Sequence, residues 1–212
     1  ASYRRQRQMC IRDRFCALEG ERVDGHDFAA EAIAAGAVAI ITNRDIADVP
    51  CLVTDNSLEA LGRLAHWYRT HELSATVIAV TGSSGKTTTK DLIADVLPGA
   101  VVAARGSFNT EDGVPLTILE ADPSTDYPVL EMGMRGIGHI AYLAEMAEPD
   151  IGVVLNVGLA HVGMMNGPEE IARAKSELVR ALSAKNVAVL NCDDFAVSAM
   201  AEQSDAPVVW FG

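Results

Sequence analysis

The chain alternates short apolar runs with stretches whose apolar residues recur at helical spacing. Val38–Thr42 and Cys51–Thr54 read as buried strands, and Leu58, Leu61, Leu64, Ala65 and Tyr68 place a helical stripe on Leu58–His71. Glu72–Ser74 breaks this pattern and reads as a linker. The run Thr76–Val80 then opens a second series. It predicts a helix over Thr87–Leu97, a strand at Val101–Ala103, a loop to Leu119, and a strand at Val129–Met132. A helix over Ile137–Ala147, a strand at Ile151–Leu155 and a helix over Pro168–Leu182 follow. Strand Val187–Leu190, helix Phe195–Glu202 and strand Val208–Phe211 end the series. Strands alternating with helices imply an α/β fold with a mostly parallel sheet covered on both faces. Two domains are expected, a small α/β domain over residues 15–73 and a parallel-sheet domain over residues 74–212. The sequence stops directly after a strand, where such a sheet would continue, so truncation is expected.

Residues 1–14 do not fit this pattern. They hold five arginines and no apolar core of the kind a secretory signal needs, and they read as a non-native or disordered head. The chain as a whole is nevertheless acidic, with 17 Lys+Arg against 29 Asp+Glu and a net charge of −12. This balance argues against a nucleic-acid partner. It leaves a phosphorylated ligand open, because backbone N–H groups and one or two cations can reverse the local field. No apolar run reaches the ~20 residues of a membrane span. The four cysteines form no C-x-x-C pair, which suits free thiols in a reducing cytoplasm.

The sharpest chemical signal is Thr81-Gly82-Ser83-Ser84-Gly85-Lys86-Thr87-Thr88-Thr89, between an apolar strand and a helix. The glycines allow a tight turn whose N–H groups converge on an anion, and the helix N-terminus adds positive partial charge. Gly82, Ser83, Ser84, Gly85, Lys86, Thr87 and Thr88 are therefore expected to hold ATP. Lys86 would meet the terminal phosphates and the Thr87 hydroxyl would ligate Mg²⁺. The general phosphate-loop pattern wants a glycine five residues before Gly85, where Val80 stands. An ordinary strand–helix turn with a solvated lysine is the plain alternative, and the strand and helix context speaks against it. The loop by itself indicates a nucleotide site and no particular reaction.

Several blocks together resemble the Mur ligase family, in the family's order and over nearly all of Phe15–Gly212. Phe15–Phe28, containing Asp24-Gly25-His26, is similar to an N-terminal signature that implies a domain for the UDP end of a substrate. The short phosphate loop is a family variant. Gly106–Leu116 resembles a loop that approaches the γ-phosphate, with Asn109 present and Thr110 where a second Asn is usual. Glu131-Met132-Gly133 closes a strand, and Asn156–His161 with Ile171–Glu177 completes the series.

The resemblance implies that Glu131 and Thr87 hold one Mg²⁺, and that His161 and a carbamylated Lys175 hold a second. Lys86, Glu131, His161 and Lys175 would be the catalytic set. Taken alone, Lys175 is an ordinary helix-face lysine and His161 an ordinary loop histidine. His66, His71 and His139 read as surface or packing residues. The Glu-Met-Gly block favours the branch that joins D-alanyl-D-alanine to UDP-N-acetylmuramoyl-tripeptide through an acyl phosphate. That implies a cytoplasmic enzyme, expected as a monomer. A tripeptide-adding or folate-polyglutamylating relative, and a phosphate-loop switch or kinase, are the alternatives.

Overall fold

The computed structural model describes residues 10–11, 14–20, 23–158 and 167–212. The chain divides into two compact units, Ala1–Ala65 and His66–Gly212. The division falls inside a helix, a few residues before the linker read at Glu72–Ser74.

The first unit is built on a four-stranded sheet, β1 (Cys10–Ile11), β2 (Arg14–Cys16), β3 (Ala39–Thr42) and β4 (Cys51–Val53), in that spatial order. β1 and β2 pair antiparallel, whereas β2, β3 and β4 run parallel. The head is thus not wholly outside the fold, since Cys10 and Ile11 oppose Phe15 and Arg14. Residues 1–9 and 12–13, the remainder of that expected head, lie outside the described residues. Helix α1 (Ala29–Ala34) and the start of helix α2 (Ser57–His71) complete this unit. Phe15, Ile40, Ile41, Leu61 and Ala65 form its core. α1 did not register in the apolar pattern because it is six residues long and mostly alanine. Gly25–Phe28 forms a 3₁₀ turn capped by Asp24, whose side chain accepts from the His26 N–H.

The second unit holds a six-stranded sheet of β5 (Ile78–Thr81), β6 (Val101–Ala103), β7 (Tyr127–Glu131), β8 (Ile151–Val154), β9 (Val187–Asn191) and β10 (Val208–Phe211). Every pairing is parallel and the order is β10-β9-β8-β5-β7-β6. Connecting helices are α3 (Lys86–Val96), α4 (Gly113–Glu120), α5 (His139–Ala147), α6 (Pro168–Ala181) and α7 (Phe195–Ser198). Ile78, Val80, Val129, Val153 and Leu155 form a core cluster across the three central strands. The chain leaves β5 towards one edge and later returns to β5's other side as β8. That reversal opens a crevice at the carboxyl ends of β7, β5 and β8, where ligands bind in open α/β sheets.

One element corrects the sequence reading. The stretch expected to be a loop up to Leu119 contains α4, whose residues from Gly113 to Leu119 are all buried. A helix buried all round shows no polar face, so its 3.6-residue period is invisible in the sequence. Pro115 sits in its first turn, where a missing N–H costs nothing.

Candidate active site

The phosphate loop leaves β5 and enters α3 through Gly85, which takes φ +81°. This left-handed conformation is open to glycine at little cost and expensive for residues with a Cβ. Lys86 is half-buried, and its ammonium folds back to donate to the Gly82 carbonyl at 2.8 Å. The side chain thus closes over its own loop. Burial lowers its pKa, and the nearby Glu131 charge opposes that shift.

Glu131 ends β7, is 1% exposed, and has both carboxylate oxygens occupied. The Thr87 hydroxyl donates to Oε2 at 2.7 Å, and the Asn109 amide donates to Oε1 at 2.7 Å. The Gly133 N–H donates in turn to the Asn109 carbonyl at 2.8 Å. A Cβ on Gly133 would stand 2.9 Å from the Asn109 side chain, so Glu-Met-Gly needs its glycine to admit Asn109. Thr110 does not substitute for the missing second Asn. Its hydroxyl bonds locally to Asp112, and Asn109 alone of the two reaches the carboxylate. Thr87 and Glu131 are hard oxygen donors, the kind Mg²⁺ selects, and fit that ion.

Lys175 lies on α6 and is 2% exposed. Burial, followed by repulsion from Lys86, lowers its pKa to about 8. The charge acting on it is Lys86, of the same sign, and Glu131's oxygens are engaged by Thr87 and Asn109. His161 lies outside the described residues, so its expected place beside the metal site does too. Thr88 lies one residue further along α3 than Thr87.

Three groups of residues had not registered as site elements. Asn156, just past β8, bonds the phosphate loop through Ser83 and Ser84. His139 was read as a surface or packing residue, yet its Nε2 meets Glu111 at 2.8 Å while its Nδ1 accepts from the Arg135 N–H at 3.0 Å. The Arg135 guanidinium reaches the same Glu111 at 2.6 Å, tying the loop after β7 to the loop bearing Asn109. Glu177 on α6 accepts from the Gly138 and Ala141 N–H groups at 2.6 and 2.9 Å, capping α5 from a neighbouring helix. Each bonds to backbone or to a residue remote in sequence, and only tertiary placement distinguishes them.

A glycine-bearing loop at a helix N-terminus, with a lysine and a hydroxyl facing a strand-end carboxylate, defines a phosphate-loop nucleotide-binding α/β protein. The Mur ligase middle-domain model matches residues 80–212, and the Mur ligase family catalytic-domain model matches residues 7–69. The chain belongs to the Mur ligase family. It is 47% identical to UDP-N-acetylmuramoyl-tripeptide--D-alanyl-D-alanine ligase of Mycobacterium leprae, over 92% of this chain and 43% of that protein. Among solved structures it is similar to MurF from Acinetobacter baumannii, with TM-score 0.88 and 36% identity over 98% of this chain and 47% of the other. It is also similar to the MurF ligase of Thermotoga maritima in complex with ADP, with TM-score 0.84 and 37% identity over 94% and 47%. The chain spans less than half the length of these relatives.

Proposed function

We propose that this chain carries the nucleotide-binding and acyl-activating part of an ATP-dependent ligase. The reaction joins D-alanyl-D-alanine to UDP-N-acetylmuramoyl-tripeptide in the cytoplasm, in peptidoglycan precursor synthesis. The observation that carries this reading is the convergence of Thr87, Asn109 and Glu131, from three separate segments, beside the loop of Lys86. The identity to ligases of that name supports the choice of substrates.

Positioning and charge neutralisation do most of the work in phosphoryl transfer. The N–H groups at the start of α3 would face the phosphates. Lys86 would exchange the Gly82 carbonyl for a phosphate oxygen, and the transferring phosphoryl group is where its charge is needed. The substrate carboxylate attacks the γ-phosphorus and ADP leaves, giving an acyl phosphate. The incoming amine then attacks the acyl carbon, inorganic phosphate leaves, and the amine loses a proton. Thr87 and Glu131 would hold one Mg²⁺, with His161 and carbamylated Lys175 for a second. Bound there, the ions would offset the negative charge gathered between ATP and the carboxylate. Asn109 keeps the Glu131 carboxylate aimed at the loop.

Carbamylation of Lys175 fits its surroundings. A neutral amine adds CO₂ and releases a proton, and lowering the pKa from 10.5 to about 8 raises the neutral fraction near neutral pH well above that of an ordinary lysine. The product is an anion, which turns repulsion from Lys86 into attraction. Solution NMR of the chain under ¹³C-labelled bicarbonate should give a carbamate carbonyl signal that Lys175→Arg abolishes.

The test of the overall reading is phosphate release by a full-length protein carrying this sequence. Release should require ATP, UDP-N-acetylmuramoyl-tripeptide and D-alanyl-D-alanine together. Turnover with diaminopimelate or glutamate in place of the dipeptide would assign another branch of the family. ATP hydrolysis independent of every acceptor would remove the ligase reading.

A further inference from the structure

Ser83 and Ser84 stand at the entrance of the phosphate loop, where free N–H groups aimed at an anion would be expected. Both are already engaged. The Asn156 carboxamide oxygen accepts from the Ser83 and Ser84 N–H groups, each at 3.0 Å. The Asn156 amide nitrogen returns a bond to the Ser84 carbonyl at 3.2 Å. The Asn156 backbone carbonyl also accepts from the Ser83 N–H at 3.1 Å. Two residues on, the Gly158 N–H donates to the Ser83 hydroxyl at 2.8 Å, and that hydroxyl lies 3.2 Å from the Gly158 carbonyl. The far side of this segment is held as well, since the Val157 N–H donates to Asp194 at 2.8 Å.

Resting on the nucleotide-binding reading above, we propose that Asn156 is a positioning residue for the phosphate loop. Its carboxamide grips the Ser84 backbone by N–H and C=O together and fixes the loop to the end of β8. Only an amide can do this. A phosphate oxygen could take the two N–H groups but has no donor for the Ser84 carbonyl, so the contact is complementary to peptide and not a surrogate for the nucleotide. Half of the loop is thereby anchored without ligand. The N–H groups from Gly85 to Thr88, at the start of α3, are left for phosphate, with Lys86 folded over them. Ser83 and Ser84 then serve the nucleotide by holding the loop's shape.

The test compares the 212-residue chain with Asn156→Ala, reading per-residue amide exchange by NMR, Mg·ADP affinity by calorimetry, and the melting curve. Ser84 should exchange about tenfold faster in the variant, as expected when an amide loses its acceptor, and Ser83 less so, because the backbone carbonyl of residue 156 still accepts from it. The amides of Ile78–Thr81 should be unmoved. Mg·ADP should bind about tenfold more weakly, with the melting temperature within about a degree of the parent. Asn156→Asp keeps the acceptor oxygens and the shape, so it should leave Ser83 and Ser84 protected. It serves as the folded comparison should the alanine variant unfold. Unchanged exchange at Ser84 in Asn156→Ala overturns the anchor. Equal or tighter Mg·ADP binding by that variant also overturns it, and makes Asn156 a plug that phosphate displaces. If the parent chain binds no Mg·ADP while the exchange difference appears, the nucleotide reading falls and the anchoring of the loop stands.

Discussion

Thr87 and Glu131 lie 44 positions apart and meet at 2.7 Å, hydroxyl to carboxylate, across the crevice between the first turn of α3 and the end of β7. A carboxylate that is 1% exposed is costly to leave without partners. Here Thr87 and Asn109 supply two donors, so Glu131 is kept ready on the side of the loop that carries Lys86.

Glu131→Gln tests the role of that charge. The amide keeps the size of the side chain and one acceptor oxygen, and the fold should survive. Mg²⁺ should then no longer improve the affinity of the chain for ADP, because the site has lost its anionic ligand. In a full-length protein, ligation should fall by at least about a hundredfold, the scale on which charge-stabilising groups act. Calorimetric titration of ADP with and without Mg²⁺ checks the first outcome. A metal effect equal to the parent's would remove Glu131 from the site.

A second outcome concerns α5, whose N-terminus is capped from another helix. Gly138 offers no side chain at the N-cap position, and the Glu177 carboxylate takes its N–H and that of Ala141. Glu177 is 5% exposed, so removing it would strand two donors and a favourable charge at the positive end of the helix. Glu177→Ala should lower stability by about 3 kcal/mol, from two stranded groups at roughly 1–3 kcal/mol each. Glu177→Gln should lose about half as much. Urea midpoints at constant slope measure both, and a loss under about 0.5 kcal/mol for the alanine variant would show that water replaces the cap.

The sequence and the structure agree best where the chemistry is local. The apolar run before Gly82 and the helix after Lys86 lie side by side in the chain, and both stand where the pattern put them. The strand ending at Glu131 was legible for the same reason. Asn109 was visible as a candidate, but its advantage over Thr110 was not. The difference lies in which side chain points at a carboxylate 22 positions away. Asn156, Glu177 and the Glu111–Arg135–His139 network were illegible because their partners are 24 to 73 positions distant or belong to backbone. α4 was missed for the opposite reason: its uniform burial erased the periodicity that marks a helix.

Lys175 gives the chain an unusual dependence on pH. Its folded pKa is lowered from 10.5 to about 8, by burial first and by Lys86 second. Below pH 8 the side chain is protonated whether folded or not, and the folded chain carries the full penalty of a buried cation. Between about 8 and 10.5 the unfolded chain binds more protons at this position than the folded one, so this group's contribution to stability rises with pH. At 1.36 kcal/mol per unit the penalty is on the order of 3 kcal/mol. Lys175→Met should therefore stabilise the chain by up to about 3 kcal/mol below pH 8, with the advantage fading towards pH 10.5. Urea unfolding of parent and variant in CO₂-free buffer from pH 6.5 to 10.5 gives the difference curve directly. A flat difference, or one that grows with pH, would contradict a buried cation at Lys175. Bicarbonate then separates the amine from its carbamate. Adding it at pH 8 should raise the parent's midpoint, because a carbamate replaces repulsion from Lys86 with attraction, and should leave Lys175→Met where it was. An equal response from both proteins would mean that CO₂ acts elsewhere and that Lys175 remains an amine.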